Sequence, residues 1–171
     1  KEGFSAGTQT VLSEFDSAIG TLSDLIRVPD EYVRAIEAAM GFNLQLILTH
    51  QSQAANEMLN HLARHKQGRT GIVALEMLGE RGGEIPPSDL PAEGKLALLV
   101  VETEVCNQPL LQTLLGRTVI VDTLDSATRL WRSNPGRFDF VTRNGESLSR
   151  QGIYASGTNN DEGKHFSHLA R

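Results

Sequence analysis

The chain has 171 residues, 39% of them hydrophobic, and a net charge of −5, which suits one domain or two intimate lobes around a real core. Its longest unbroken apolar stretch, Leu96 to Val101, is far too short for a membrane span, and no charged-then-apolar leader opens the chain. A pI near 5.5 argues against a dedicated nucleic-acid binder, and the single Cys106 cannot form an internal disulfide, so a soluble, cytoplasmic protein is expected.

Residues 1–24 are rich in Gly, Ser and Thr around Val11-Leu12 and Phe15, which predicts a loop, a short helix and a turn. From Asp30 to Met40 the apolar residues Tyr32, Val33, Ile36, Ala39 and Met40 recur at helical spacing. Asp30 and Glu31 sit where a helix dipole favours acids, and Gly41 closes the helix. Leu44 to Thr49 reads as a strand and Gln51 to Lys66 as an amphipathic helix stopping near Gly68. A second apolar run then passes through Ile72, Val73 and Leu75. The stretch Gly79 to Gly94, with Gly82-Gly83, Pro86-Pro87 and Pro91, reads as a connection between two units.

Beyond it, Leu96 to Val101 fits a buried strand or a short helix. Asn107 to Leu115 is a helix with Pro109 in its first turn. Val119 to Val121, Thr123 to Ser133 and Arg137 to Thr142 then repeat the strand-helix-strand order of residues 44–75. Asn144-Gly145 predicts a type I′ hairpin leading into a strand from Leu148 to Tyr154. The fold class expected is α+β, with two related lobes, each a small sheet with packed helices.

Catalytic patterns do not assemble. Gly157 to Lys164 has one residue too many between its glycines for a phosphate loop, and His165 stands where Ser or Thr would hold magnesium. His61 and His65 share a helix face but lack a third ligand, so exposed helix histidines are expected. Small-residue packing accounts for Cys106, and Glu102 and Glu104 read as surface acids at a strand end. No catalytic, metal-binding or cofactor-binding residues are assigned. Charge is uneven: residues 1–62 hold eight acids and three bases, and residues 117–171 hold six acids and eight bases. Gly145, Gly152 and Gly157 punctuate the last strand, where small residues let another backbone approach and leave an edge for a second chain.

The order of these pieces resembles the hinge domain of SMC (structural maintenance of chromosomes) proteins, of the bacterial type. Glu2 to Leu12 is similar to the family's Gly-rich incoming phrase. Tyr32-Val-Arg-Ala-Ile-Glu-Ala-Ala-Met-Gly41 with Leu44-Gln-Leu-Ile-Leu48 resembles its helix-Gly-strand signature, which Ala54, Leu62 and Gly68-Arg69 continue. Leu114 to Leu124, Ala127 and Phe140 to Gly145 resemble the second lobe, and Gly152 to Gly157 the closing glycine strand, with Ser156 in place of the family's first closing glycine.

The resemblance implies hinge lobe I over residues 1–79 with an incoming segment, a linker over 80–94, lobe II over 95–158, and an exit segment over 159–171 towards a coiled coil. It implies a dimerisation hinge of a chromosome condensation and segregation protein of the condensin class. The hinge would have no enzymatic activity, because the ATPase heads would lie elsewhere in a longer molecule. Two copies would join as a homodimeric two-fold ring, through Gly71 and Val73 near one strand edge and Gly152, Tyr154, Ser156 and Gly157 at another. Weak, non-specific DNA contact would fall to Arg143, Arg150 and Lys164, with a cytoplasmic, nucleoid-associated location, no membrane and no cofactor. The alternative from a different class is a small α/β enzyme or ligand-binding domain with a cleft between the lobes.

Overall fold

The computed structural model describes residues 4–65, 69–81 and 90–156. Helix α1 (Ala6–Glu14) starts at Ser5, whose hydroxyl accepts from the Thr8 N–H at 3.1 Å; such a cap satisfies one of the donors a first turn leaves open. Then come β1 (Gly20–Thr21), the single-turn α2 (Leu22–Leu25) and β2 (Ile26–Arg27). A 3-10 turn at Asp30–Tyr32 feeds α3 (Val33–Met40), and Gly41, at φ 53°, ends it in a conformation that glycine adopts without steric cost. The chain then coils as a second 3-10 segment, Gly41–Gln45, so β3 is confined to Ile47–Thr49 and the strand expected from Leu44 starts late.

Helix α4 (Ser52–His65) crosses to β4 (Ile72–Ala74). The expected strand through Leu75 ends at Ala74, because Leu75–Arg81 turns into helix α5. β5 (Lys95–Leu96) passes into a 3-10 turn at Ala97–Val100, so the run from Leu96 to Val101 contains both of the expected forms. β6 (Glu102–Thr103), α6 (Gln108–Leu115), β7 (Thr118–Val121), α7 (Leu124–Ser133), β8 (Asp139–Thr142), β9 (Ser147–Leu148) and β10 (Tyr154–Ala155) complete the described chain. Thr123 caps α7, its Oγ1 accepting from the Ser126 N–H at 3.1 Å.

Among the described residues the strands form three sheets. In the first, ordered β1-β3-β4, β1 runs antiparallel to β3 and β3 parallel to β4, with Leu48 opposite Val73. The second is ordered β10-β9-β8-β7-β5; β7 and β8 are parallel, with Val119 opposite Phe140, and the other pairs are antiparallel. Each parallel pair is joined by a helix, α4 in one sheet and α7 in the other, so the two strand-helix-strand units expected from the sequence are present. A small β2–β6 pair, Ile26 opposite Thr103, links the early and late parts of the chain.

One apolar cluster spans both parts, from Leu22, Ile36 and Leu48 to Leu111, Ile120 and Val141. On the opposite face of β7 and β8, Val119, Val121 and Phe140 pack with Ala127, Phe138, Leu148 and the half-buried Trp131. β7 is thus buried on both faces, which is why it reads as an unbroken Val-Ile-Val run without alternation. A third cluster of Val11, Ile47, Met58 and Leu62 fastens α1 and α4 to β3. Each such side chain contributes about 1.5–3 kcal/mol when fully buried. β4 and β10 lie at the margins of their sheets, as β1 and β5 do at the other ends, and among the described residues no strand pairs with the outer backbone of β4 or β10.

The last two turns differ from expectation. The Gly145 N–H donates to the Thr142 carbonyl at 3.0 Å and the Thr142 N–H to the Glu146 carbonyl at 2.9 Å, with Gly145 at φ 90°. Asn144-Gly145 therefore closes a turn begun at Thr142 and does not form the centre of a two-residue loop. The expected strand from Leu148 to Tyr154 is a hairpin. The Ser149 N–H donates to the Ile153 carbonyl, the Gly152 N–H donates to the Ser149 carbonyl, both at 2.9 Å, and Gly152 has φ 86°.

Candidate functional site

The edge of the larger sheet is built by that hairpin. Ile153 is 65% exposed and Tyr154 54%, so the margin presents two large apolar side chains beside unpaired backbone. Ser156 is exposed directly beyond β10, and Gly157 lies outside the described residues. Gly152 is not the strand glycine expected from the sequence. It occupies a left-handed turn, and a Cβ there would lie 3.6 Å from Trp131 Cζ2, so its glycine is explained within one copy of the chain.

The other margin is β4. Val73 packs against the main core, which leaves the outer backbone of the strand as what it has to offer. Gly71 hands its carbonyl to the Ile47 N–H at 3.0 Å, and a Cβ on it would meet Leu46 Cδ2 at 2.5 Å. The space beside Gly71 is thus taken by the Leu46 side chain of the same chain. Met77, on the helix directly after β4, is 56% exposed, and Leu59 on α4 is also exposed. The Glu76 carboxylate accepts from the Ser52 N–H at 2.7 Å and so caps α4 from the neighbouring helix. That hydrogen bond, together with the Ser52 side chain, holds the Glu76 carboxyl below its usual value.

The basic residues are engaged. Arg143 Nη1 lies 3.5 Å from Glu31 Oε2, and its guanidinium sits 5.1 Å from the centre of the Tyr32 ring. Lys95, which the sequence did not single out, brings its Nζ to 5.5 Å from the same ring, so two cations share one aromatic face partner. Arg150 Nε is 3.4 Å from Asp139 Oδ2, and the Arg150 N–H donates to Asp139 Oδ1 at 2.8 Å. Lys164 lies outside the described residues, as do the segment over 159–171 and most of the expected linker. At the linker's end, Arg129 donates to both Glu93 oxygens at 2.8 and 2.6 Å, which lowers the Glu93 pKa and raises that of Arg129.

His61 is half-buried and not exposed as expected: its Nε2 lies 2.6 Å from Glu14 Oε2, and its ring stacks on His65 with centroids 4.3 Å apart. Among the described residues no group of three or more His, Cys, Asp and Glu is placed to hold a metal. Cys106 is exposed, so packing does not explain it. An open groove of about 430 Å³ runs along β2 and β6, lined by Asp24, Arg27, Glu102 and Glu104. Its one hydroxyl, on Thr103, donates to the Leu25 carbonyl at 2.8 Å. No described helix is long and apolar enough to cross a membrane.

Two parallel strand-helix-strand units, set around one core with an open edge on each sheet, define an α+β module whose distinctive surfaces are strand margins. The family profile of the SMC proteins Flexible Hinge Domain matches residues 15–131, and the chain belongs to that family. The chromosome partition protein Smc of Lactiplantibacillus plantarum is 34% identical over 161 residues, covering 90% of this chain and 14% of that protein. The chain thus spans a small part of the relatives it matches. An asymmetric dimer of the Geobacillus stearothermophilus SMC hinge domain superimposes with a TM-score of 0.83 at 26% identity, over 98% of this chain and 73% of that one. The Pyrococcus furiosus SMC hinge domain gives 0.73 at 26% identity, over 91% and 81% respectively. The family profile stops at Trp131, and the first of these structural matches reaches past it over nearly the whole chain.

Proposed function

We propose that this chain is the hinge through which a chromosome partition protein of the Smc type joins to a second copy of itself. The observation that carries this reading is the pair of open edges, β10 on one sheet and β4 on the other, each flanked by exposed apolar side chains. A single copy leaves both edges unsatisfied; a two-fold pair makes two equivalent contacts that satisfy each edge once, β10 of each protomer lying against β4 of its partner. The similarity to a hinge solved as an asymmetric dimer supports the pairing of two copies. In this reading the contact involves Gly71 and Val73 through their backbone, and Gly152, Tyr154, Ser156 and Gly157 around the hairpin. Residues 1–79 and 95–158 would be the two lobes, with coiled-coil arms beyond them and ATP hydrolysis elsewhere in the longer protein.

DNA contact, in a cytoplasmic, nucleoid-associated setting, would be auxiliary and salt-dependent, through Arg143, Arg150 and Lys164. The exposure of Arg143 and Arg150 supports their being reachable, although each already has an acidic partner. The interface test is Ile153→Glu, which places a carboxylate on the exposed edge without touching the core. Sedimentation equilibrium should show a dimer for the unsubstituted chain and a monomer of unchanged secondary structure for the variant. A wild-type chain that stays monomeric at tens of micromolar, or a variant that still dimerises, would refute the proposal.

A further inference from the structure

β10 has two residues and hangs on β9 through a tight turn, a unit too small to hold its shape alone. It is held from behind by α7. Trp131 Nε1 donates to the Arg150 carbonyl at 3.1 Å, and the ring edge lies under Gly152. One helical turn earlier on the same face, Thr128 Oγ1 is 2.5 Å from the Tyr154 hydroxyl. From the sheet side, Asp139 takes the Arg150 N–H. The hairpin is thus tied at its turn by Trp131 and Asp139, and at its strand by Thr128.

We infer that Trp131 and Thr128 are positioning residues for self-association: they hold β10 extended before a second copy arrives. The inference rests on the proposal that β10 is the pairing edge. Its physical basis is that ordering a segment during binding weakens affinity in proportion to how seldom the free segment is competent. Neither side chain needs to touch the partner for this. Removing either hydrogen bond costs the ordered hairpin about 1 kcal/mol, or roughly five-fold in its ordering equilibrium. A two-fold pair uses one hairpin from each protomer, so the dimer constant weakens by the square, roughly twenty-five-fold.

The experiment compares the 171-residue chain with Trp131→Phe, which removes the donor together with the indole edge under Gly152 and leaves a smaller aromatic ring, and with Thr128→Val and Thr128→Ser. Dimer constants come from sedimentation equilibrium, and amide exchange at residues 152–155 is measured in a background held monomeric by dilution. The expected result is weaker association for Trp131→Phe and Thr128→Val, faster exchange in the hairpin, and near-native association for Thr128→Ser, which retains the hydroxyl. Unchanged dimer constants in both deletions, with Ile153→Glu still dissociating the pair, would overturn the positioning role alone. Ile153→Glu without effect would overturn the interface reading, and the inference with it.

Discussion

Gly94→Ala tests how closely the segment before β5 is pressed against the sheet. A Cβ at Gly94 would lie 2.1 Å from Val119 Cγ1 and 3.4 Å from the Ile120 carbonyl oxygen, whereas carbons in contact prefer about 3.5–4.0 Å. Val119 cannot swing away, because it is buried in β7 between neighbours on both sides and a β-branched residue has few rotamers. Overpacking of this kind costs about 1–3 kcal/mol, offset by about 0.4–1 kcal/mol from the stiffer unfolded chain. A net loss of about 1–2 kcal/mol is expected, or a Tm lower by roughly 2–8 °C for a chain of this size. Val119→Ala alone should cost about 2–3 kcal/mol from lost burial and the cavity left behind. In the double variant the new methyl enters the vacated space, so the combined loss should fall short of the sum by about 1–2 kcal/mol. Urea titrations of all four proteins at one protein concentration measure the cycle, since self-association makes stability concentration-dependent. Losses that add within about 0.5 kcal/mol would refute the contact.

Protonating Glu76 should uncouple α5 from the start of α4. Its folded pKa lies below the unfolded value near 4.5, so its contribution is complete above that pH and is lost as pH falls through the lower, folded value. The Tm advantage of wild type over Glu76→Gln should therefore shrink below pH 4.5, and a pH-independent difference would refute the cap. Glu31→Gln releases Arg143 from its acidic partner, so binding to a short duplex should strengthen and the salt slope steepen by about one; an unchanged slope would remove Arg143 from the DNA surface.

Both strand-helix-strand units were legible because their strands are short apolar runs and their helices carry the 3.6-residue pattern, with Thr123 to cap the second. What escaped was set by tertiary contact. Leu75 continues an apolar strand pattern, yet the chain becomes helical there, with Glu76 turned to cap α4. The hairpin after β9 was hidden because Gly152-Ile-Tyr-Ala reads as strand. The available signal was Ser149 three residues before a glycine, whose hydroxyl accepts from the Ile153 N–H at 3.2 Å. The glycines at Gly71 and Gly152 have intrachain reasons that the sequence hides: Leu46 fills the space beside the first, and the second sits in a left-handed turn over Trp131. The edge of β4 has no side-chain signature, because backbone is what it offers. From the sequence, the family resemblance alone points to it, through Gly71 and Val73, and sheet order sets it at a margin.

The two described arginines assigned to DNA differ in what contact would cost the fold. Arg143 is held by one ion pair at 3.5 Å between exposed side chains and by the Tyr32 ring. Pairs of that kind contribute about 0–1 kcal/mol, so a phosphate can draw the guanidinium away with little structural consequence. Arg150 is built into the edge. Its N–H and its guanidinium share the Asp139 carboxylate, and its carbonyl takes the Trp131 donor. A phosphate that captured this side chain would leave Asp139 with the backbone bond alone, on the hairpin proposed to meet the second copy. At Arg143, nucleic-acid contact would draw on groups apart from the proposed pairing edge. At Arg150 it would draw on a side chain tied to that edge, so DNA bound there is expected to loosen the edge, and a dimer that fixes the edge to hold Arg150 back from DNA.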